Sequence, residues 1–319
     1  MADTSHRSQE SRNFEGVTKD CILVVGSDKV DIQVNSVFLS AVSQPFRAMF
    51  APEWRTGHVH KTSNGFHMKW LPDDDGTALQ LICGVIHHES HAMPNEIPAQ
   101  TVLRVAIMAD KYDCCRALRY ASESWLNPKR DVVDDLFILT AAAYLFDNAT
   151  AFRQLTKKMI LTYNGPFTAA SWGGVEDMLD WKLLGLLEGA RGAARLELAN
   201  ILMHGTTDVF GRCVHECGWS SKYAFAYIKD LDEKDLWPAA LDRRSIVDAI
   251  AEAEFMPDPI PTEDSGNCQY DFKHSVPQYR RAREHTLGQL KDNLGLCLHC
   301  VRAGDGNAAT CQVSHDHKD

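Results

Sequence analysis

The sequence predicts an α+β region at the N-terminus, a mainly α-helical region after it, and a small Cys/His-containing element at the C-terminus. Three observations lead there. Residues 21–34 carry two short strand patterns joined by a turn. From residue 36 the apolar spacing becomes helical, with one return to a strand pattern near residue 66. After residue 257, Cys and His recur at spacings that suit a tetrahedral ion.

Bulk composition bounds the function. A chain of 319 residues, 45% hydrophobic and 24% charged, can bury one large core or two ordinary ones. Its 33 Lys and Arg stand against 43 Asp and Glu, and the resulting charge of −10 repels phosphate backbones and anionic lipid. Neither nucleic acid nor membrane is therefore expected as a partner. Residues 1–16 are polar, lack the apolar core of a signal peptide and read as a disordered tail, and no later run approaches the roughly 18 apolar residues of a membrane span. The expected location is intracellular, in cytoplasm, nucleus or both. Ten Cys in a chain this long are too dilute for a secreted disulfide scaffold, so free thiols are expected and any cluster of them points to metal.

The elements follow in order. CILVVG, Cys21 to Gly26, is a β-branched apolar run closed by Gly26, Ser27 and Asp28, and reads as a buried strand. Val30, Ile32 and Val34 alternate with Asp31, Gln33 and Asn35, the period of a half-buried second strand, so the two form a hairpin. In SVFLSAVSQPFRAMF, Ser43 and Pro45 divide the stretch into two short helices, because Pro is accepted in a first helical turn and not in an interior. Phe46, Met49 and Phe50 share one face of the second, and Pro52 stops it. FHMKWL, Phe66 to Leu71, predicts a third strand, and Asp73, Asp74 and Asp75 suit the solvent-facing start of a helix from Gly76 to about His88. His87, His88 and His91 read as its solvated end, since they lack the spacing of a zinc protease helix. Two further helical patterns, TVLRVAIMADKYDC and CRALRYASESWL, complete the region.

Those residues resemble a known family. Asp20 to Val25, Phe38-Leu39-Ser40 with Ser43 to Phe50, Leu71 to Asp75, and Ala109-Asp110-Lys111-Tyr112-Asp113-Cys114 together resemble a BTB/POZ domain of the fungal type, over residues 17–127. The resemblance implies a small sheet flanked by a helical bundle, without a catalytic centre, that dimerises and holds other proteins. The apolar stretch 36–50 then has two readings: core, or a partner surface on the first short helix carried by Val37, Phe38 and Val42, as in BTB dimers that this chain resembles. Two departures stand out. Asn35-Ser36 replaces the His-Lys that many members carry ahead of the first helix, and Trp54-Arg55-Thr56 lacks the acid that cullin-docking members tend to carry shortly after the Met-Phe pair.

Residues 128–256 read as helical: DVVDDLFILTAAAYLFDN and ATAFRQLTKKMILTYN as an amphipathic hairpin turning at Asp147-Asn148, then one helix from Trp181 to about Tyr227. Gly185, Gly189 and Gly192 are spaced for close helix packing, without the strand or Gly-Lys-Ser/Thr of a phosphate loop. Asp230 to Pro238 predicts an acidic turn, Arg243 to Phe255 a helix, and PDPIPTEDSGN a linker opening residues 257–319.

The C-terminal element carries the chemistry. Cys297 and Cys300 flank two residues, and Cys311 with His315 can complete a Cys3His shell around one structural zinc; Cys268 and His274 are alternates, and His317 lies beside the set. An incidental tail and a redox role are the other readings. Cys213 and Cys217, four apart on a predicted helix, read as two buried small side chains or as two ligands. The stretch after Asn293 holds Arg302 and Lys318 against Asp305, Asp316 and Asp319, too little positive charge for a zinc-dependent nucleic-acid binder. No nucleophile elbow, P-loop or dinucleotide fingerprint occurs. The sequence thus predicts a non-enzymatic interaction module: a homodimerising scaffold or adaptor, with a cullin-type ligase adaptor or a zinc-dependent transcription-associated factor as alternatives.

Overall fold

A computed structural model describes residues 18–51, 66–89, 94, 96–127, 133–168, 175, 178–179, 181–207, 215, 217–259, 268, 274 and 279–311. The predicted tail 1–16 and Trp54-Arg55-Thr56 fall outside these. The fold is α+β and mostly helical, and it divides into two compact units, Met1–Asn127 and Pro128–Asp319.

In the first unit β1 (Cys21–Val25) and β2 (Val30–Val34) form the antiparallel hairpin, with Val25 opposite Val30. Strand β3 (His67–Leu71) pairs parallel to β1, giving the order β2-β1-β3. A parallel neighbour requires a crossover, and α1 (Ser36–Val42) and α2 (Gln44–Met49) lie within it. Central β1 buries Leu23, Val24 and Val25. The two helices are separate because Ser43 is extended (φ −141°) and its hydroxyl accepts the Phe46 N–H, while Pro45 sits in the first turn of α2. Asn35 caps α1, its Oδ1 accepting the Val37 and Phe38 N–H groups at 3.0 and 3.1 Å. Helix α3 (Gly76–Ile86) is capped by Asp75, and α4 (Ala99–Lys111), a 3-10 turn and α5 (Arg119–Trp125) follow.

Two side chains expected in solvent are instead buried. Asp74 accepts hydrogen bonds from the Tyr112 hydroxyl and the Lys111 ammonium, which together satisfy a carboxylate withdrawn from water. Burial, aided by the hydrogen bond to Asp74, pushes the Tyr112 hydroxyl far above its ordinary pKa. His87 is only 8% exposed. Its Nε2 receives the Asn35 N–H at 2.8 Å, and because that amide can only donate, the ring proton lies on Nδ1, which donates to the Cys83 carbonyl at 2.7 Å. His87 thereby ties the start of α1 to the end of α3.

This tie sets a pH dependence. Burial lowers the His87 pKa below its ordinary value of 6.5, so the unfolded chain binds the proton more readily. The stability contributed by neutral His87 is full above about pH 6.5 and is lost as pH falls through the lower folded value. Hydrogen exchange of the α1 amides, corrected for intrinsic rates, is expected to accelerate several-fold between pH 7.5 and pH 5.5, and His87→Gln to remove that dependence. Equal protection at both pH values in the unsubstituted chain contradicts the assignment.

The second unit contains α6 (Val133–Leu145), α7 (Ala149–Thr162), α8 (Trp181–Thr207), α9 (Trp219–Glu233), a 3-10 segment, α10 (Ile246–Phe255), α11 (Tyr279–Asn293) and α12 (Leu298–Ala303). The α6–α7 hairpin turns where predicted: Asp147 adopts φ +57° and Asn148 caps α7 through the Ala151 N–H at 2.9 Å. Helix α6 is not amphipathic, however, since the run Leu136 to Ala143 is buried all round. The single helix expected from Trp181 to Tyr227 is two helices, and α9 continues through Asp230, where a turn was expected. Gly185, Gly189 and Gly192 face open space, so they are not packing contacts. The close approach is at Gly205, where a Cβ would fall 2.5 Å from the Tyr227 ring and 2.7 Å from that of Tyr279. Helix α8 meets α9 and α11 there and packs on α10 as well, and α12 packs on α7. No helix among the described residues is long and apolar enough to cross a membrane.

Candidate metal centres

Helix α12 starts at Cys297, its N-cap residue, and carries Cys300 one turn on, so the two-residue spacing aims both thiols at one point. Gly304 ends the helix at φ +71°. The chain then turns back, held by the Cys297 N–H on the Ala308 carbonyl and the Asp305 N–H on the Cys300 carbonyl, both at 2.9 Å. That return brings Cys311 beside the pair, with the three sulfurs within 4.8 Å of one another. Burial, reinforced by the Cys311 and Cys297 thiols, pushes the Cys300 thiol up to about 12. Three thiolates this close repel one another, and a divalent cation is the charge that lets them ionise together. His315, predicted as the fourth ligand, and His317 lie outside the described residues.

This knuckle is fixed to the rest of its unit from both sides. The Leu296 N–H donates to Thr156 Oγ1 of α7 at 2.9 Å. Gly295 passes so close to α7, at φ +109°, that a Cβ would lie 2.5 Å from the Arg153 carbonyl oxygen. Arg302 pairs with Asp147 at 2.8 Å and lies over the Tyr144 ring at 4.9 Å, tying α12 to the α6–α7 turn.

Cys268 and His274, the predicted alternates, do not join that shell. They gather with Cys217 in a second group whose ligand atoms also lie within 4.8 Å of one another. Cys217 Sγ stands 3.1 Å from His274 Nε2. The His274 ring stacks on Trp219, with centroids 4.8 Å apart and planes 4° from parallel. Cys217 is not on a helix: it precedes Gly218, whose φ of +81° leads the chain into α9, so the shared helical face read for Cys213 and Cys217 does not hold at Cys217. Cys213 lies outside the described residues. Cys217 was missed as a partner of His274 because 57 positions separate them, beyond any local spacing signal.

Each of these groups can hold a metal ion, since thiolate sulfur, alone or with imidazole nitrogen, is a donor set that suits zinc. Near the knuckle, a cleft of about 420 Å³ opens between the start of α8 and the Gly304 turn, with Trp181, Leu186, Val301 and Arg302 on its walls. Gly185 lines the same cleft, which accounts for the open space at its Cα.

The proposed interface residues of the first unit divide by exposure. Val37 is 67% and Val42 38% exposed on α1, while Phe38 is half-buried with its ring 5.6 Å from that of His87. Leu39 and Phe46 are core, Phe46 stacking on Tyr112 at 4.3 Å, and Met49 and Phe50 are half-buried. The stretch 36–50 is therefore both core and surface.

A scan of family models, a search of curated proteins and a search of solved structures each found no match to this chain.

Proposed function

We propose that this chain is a non-enzymatic interaction scaffold that dimerises through the α1 face of a BTB-like first unit and engages a client protein through its helical second unit. The observation that carries the reading is α1 itself. It is capped by Asn35 and pinned by His87, yet it turns Val37 and Val42 outward. A rigid helix with outward apolar side chains loses little conformational entropy on pairing, which favours association. The small sheet flanked by helices accords with the BTB/POZ resemblance. The cleft beside Trp181, partly apolar and next to a rigid knuckle, is the client surface in this reading. A zinc ion on Cys297, Cys300 and Cys311 serves to hold that knuckle in shape.

In a two-fold dimer each substitution acts twice. Val37→Asp with Val42→Asp, both at exposed positions, is expected to weaken the dimer by at least about tenfold in dissociation constant while leaving the circular dichroism spectrum native. Phe38→Asp removes a half-buried ring as well and is expected to cost fold stability in addition. A double variant with the dimer affinity of the parent chain overturns the α1 interface.

A further inference from the structure

We infer that the chain binds a second structural metal ion, zinc, on Cys217, Cys268 and His274, and that this ion staples the α8–α9 connection to the α10–α11 connection. Zinc bonds of about 2.3 Å to sulfur and about 2.0 Å to nitrogen, at tetrahedral angles, place ligand sulfur and nitrogen about 3.5 Å apart and two sulfurs about 3.8 Å apart. The 3.1 Å between Cys217 Sγ and His274 Nε2, and the 4.8 Å limit on the whole group, bracket those spacings. The Cys217–His274 pair is thus within about half an ångström of its coordination spacing, and Cys268 within about an ångström of its own, shifts that side-chain rotation can supply.

Charge and orientation agree with the spacing. Two thiolates and a neutral imidazole sum to zero with a divalent zinc, so the ion adds no net charge where Cys268 is 4% exposed. On binding, the two thiols release their protons to solvent and the imidazole supplies a lone pair, so no oxidant or reductant is involved. The Trp219 face fixes the plane of the His274 ring while leaving Nε2 directed at Cys217, the role a supporting shell plays in a metal site. The topology supplies the purpose. Cys217 lies in the connection between α8 and α9, and Cys268 and His274 lie in that between α10 and α11. Long connections are entropically costly to order, and a metal clip across two of them offsets that cost.

The test uses the full chain, purified without chelator. Metal analysis is expected to give two zinc ions per chain, falling to one in Cys217→Ser with Cys268→Ser and also to one in Cys297→Ser with Cys300→Ser. A Cys217/Cys268 variant that keeps all the zinc of the parent overturns the inference. Should that variant fold poorly, the unsubstituted chain decides. Alkylation of Cys217 and Cys268, followed by mass spectrometry, is expected to be slow before chelation and at least about tenfold faster after it. Equal rates, or a Cys217–Cys268 disulfide in place of the ion, also overturn it.

Discussion

Arg283→Ala is expected to destabilise the second unit by about 3–5 kcal/mol, the sum of a cavity and unsatisfied buried acceptors and a large fraction of what a domain this size can lose. Arg283 is 1% exposed and is the largest fully buried side chain among the described residues. Its guanidinium is solvated by dipoles at a helix end: Nε donates to the Ala253 carbonyl at 2.9 Å, and another N–H donates to the Met256 carbonyl, both at the C-terminus of α10. The negative end of a helix dipole favours a cation there. The same side chain reaches the Tyr227 hydroxyl at 3.5 Å and lies 5.8 Å from the Tyr279 ring centre. Removing it leaves buried carbonyls without a donor and a cavity beside Tyr227 and Tyr279, costs that add. Urea denaturation read by circular dichroism measures the effect, and a loss below about 1 kcal/mol means that the unit relaxes into the space and α10 is not anchored by this residue.

Cys297→Ser with Cys300→Ser is expected to remove the knuckle zinc and free α12. Structural zinc sites are worth on the order of 10 kcal/mol or more in small domains, while a helix of α12's length, Leu298–Ala303, is too short to persist alone. Loss of the ion leaves Leu296, Leu298 and Ala308 as the only buried apolar anchors of the segment 295–311 among its described residues. The α12 amides should exchange at least about a hundredfold faster, and one zinc per chain should be lost, while α1 protection is unchanged. Full zinc content with native α12 protection contradicts the knuckle site.

What the sequence made legible was local. The strands at 21–25, 30–34 and 67–71, the Ser43 break and the Asn148 cap depend on neighbours within a few positions, and periodicity with capping chemistry reads them. The Cys297–Cys300 pair was legible for the same reason. What escaped reading depends on distant partners. His87 is buried because Asn35 donates to it across 52 positions, and Asp74 because Tyr112 and Lys111 arrive from α4 and its end. The packing glycine is Gly205 and not the regularly spaced Gly185, Gly189 and Gly192, since Tyr227 and Tyr279 come from α9 and α11. Cys217 joins Cys268 and His274 because the helix read from Trp181 to about Tyr227 is interrupted between α8 and α9, and residues 51 or more positions apart meet there.

The scaffold reading rests on self-association, and multi-angle light scattering of the unsubstituted full chain tests that most directly. A mass near twice 35.7 kDa is expected, falling to 35.7 kDa in the Val37→Asp, Val42→Asp variant. A monomer mass for the parent chain at tens of micromolar concentration would contradict it, leaving Val37 and Val42 as ordinary surface residues.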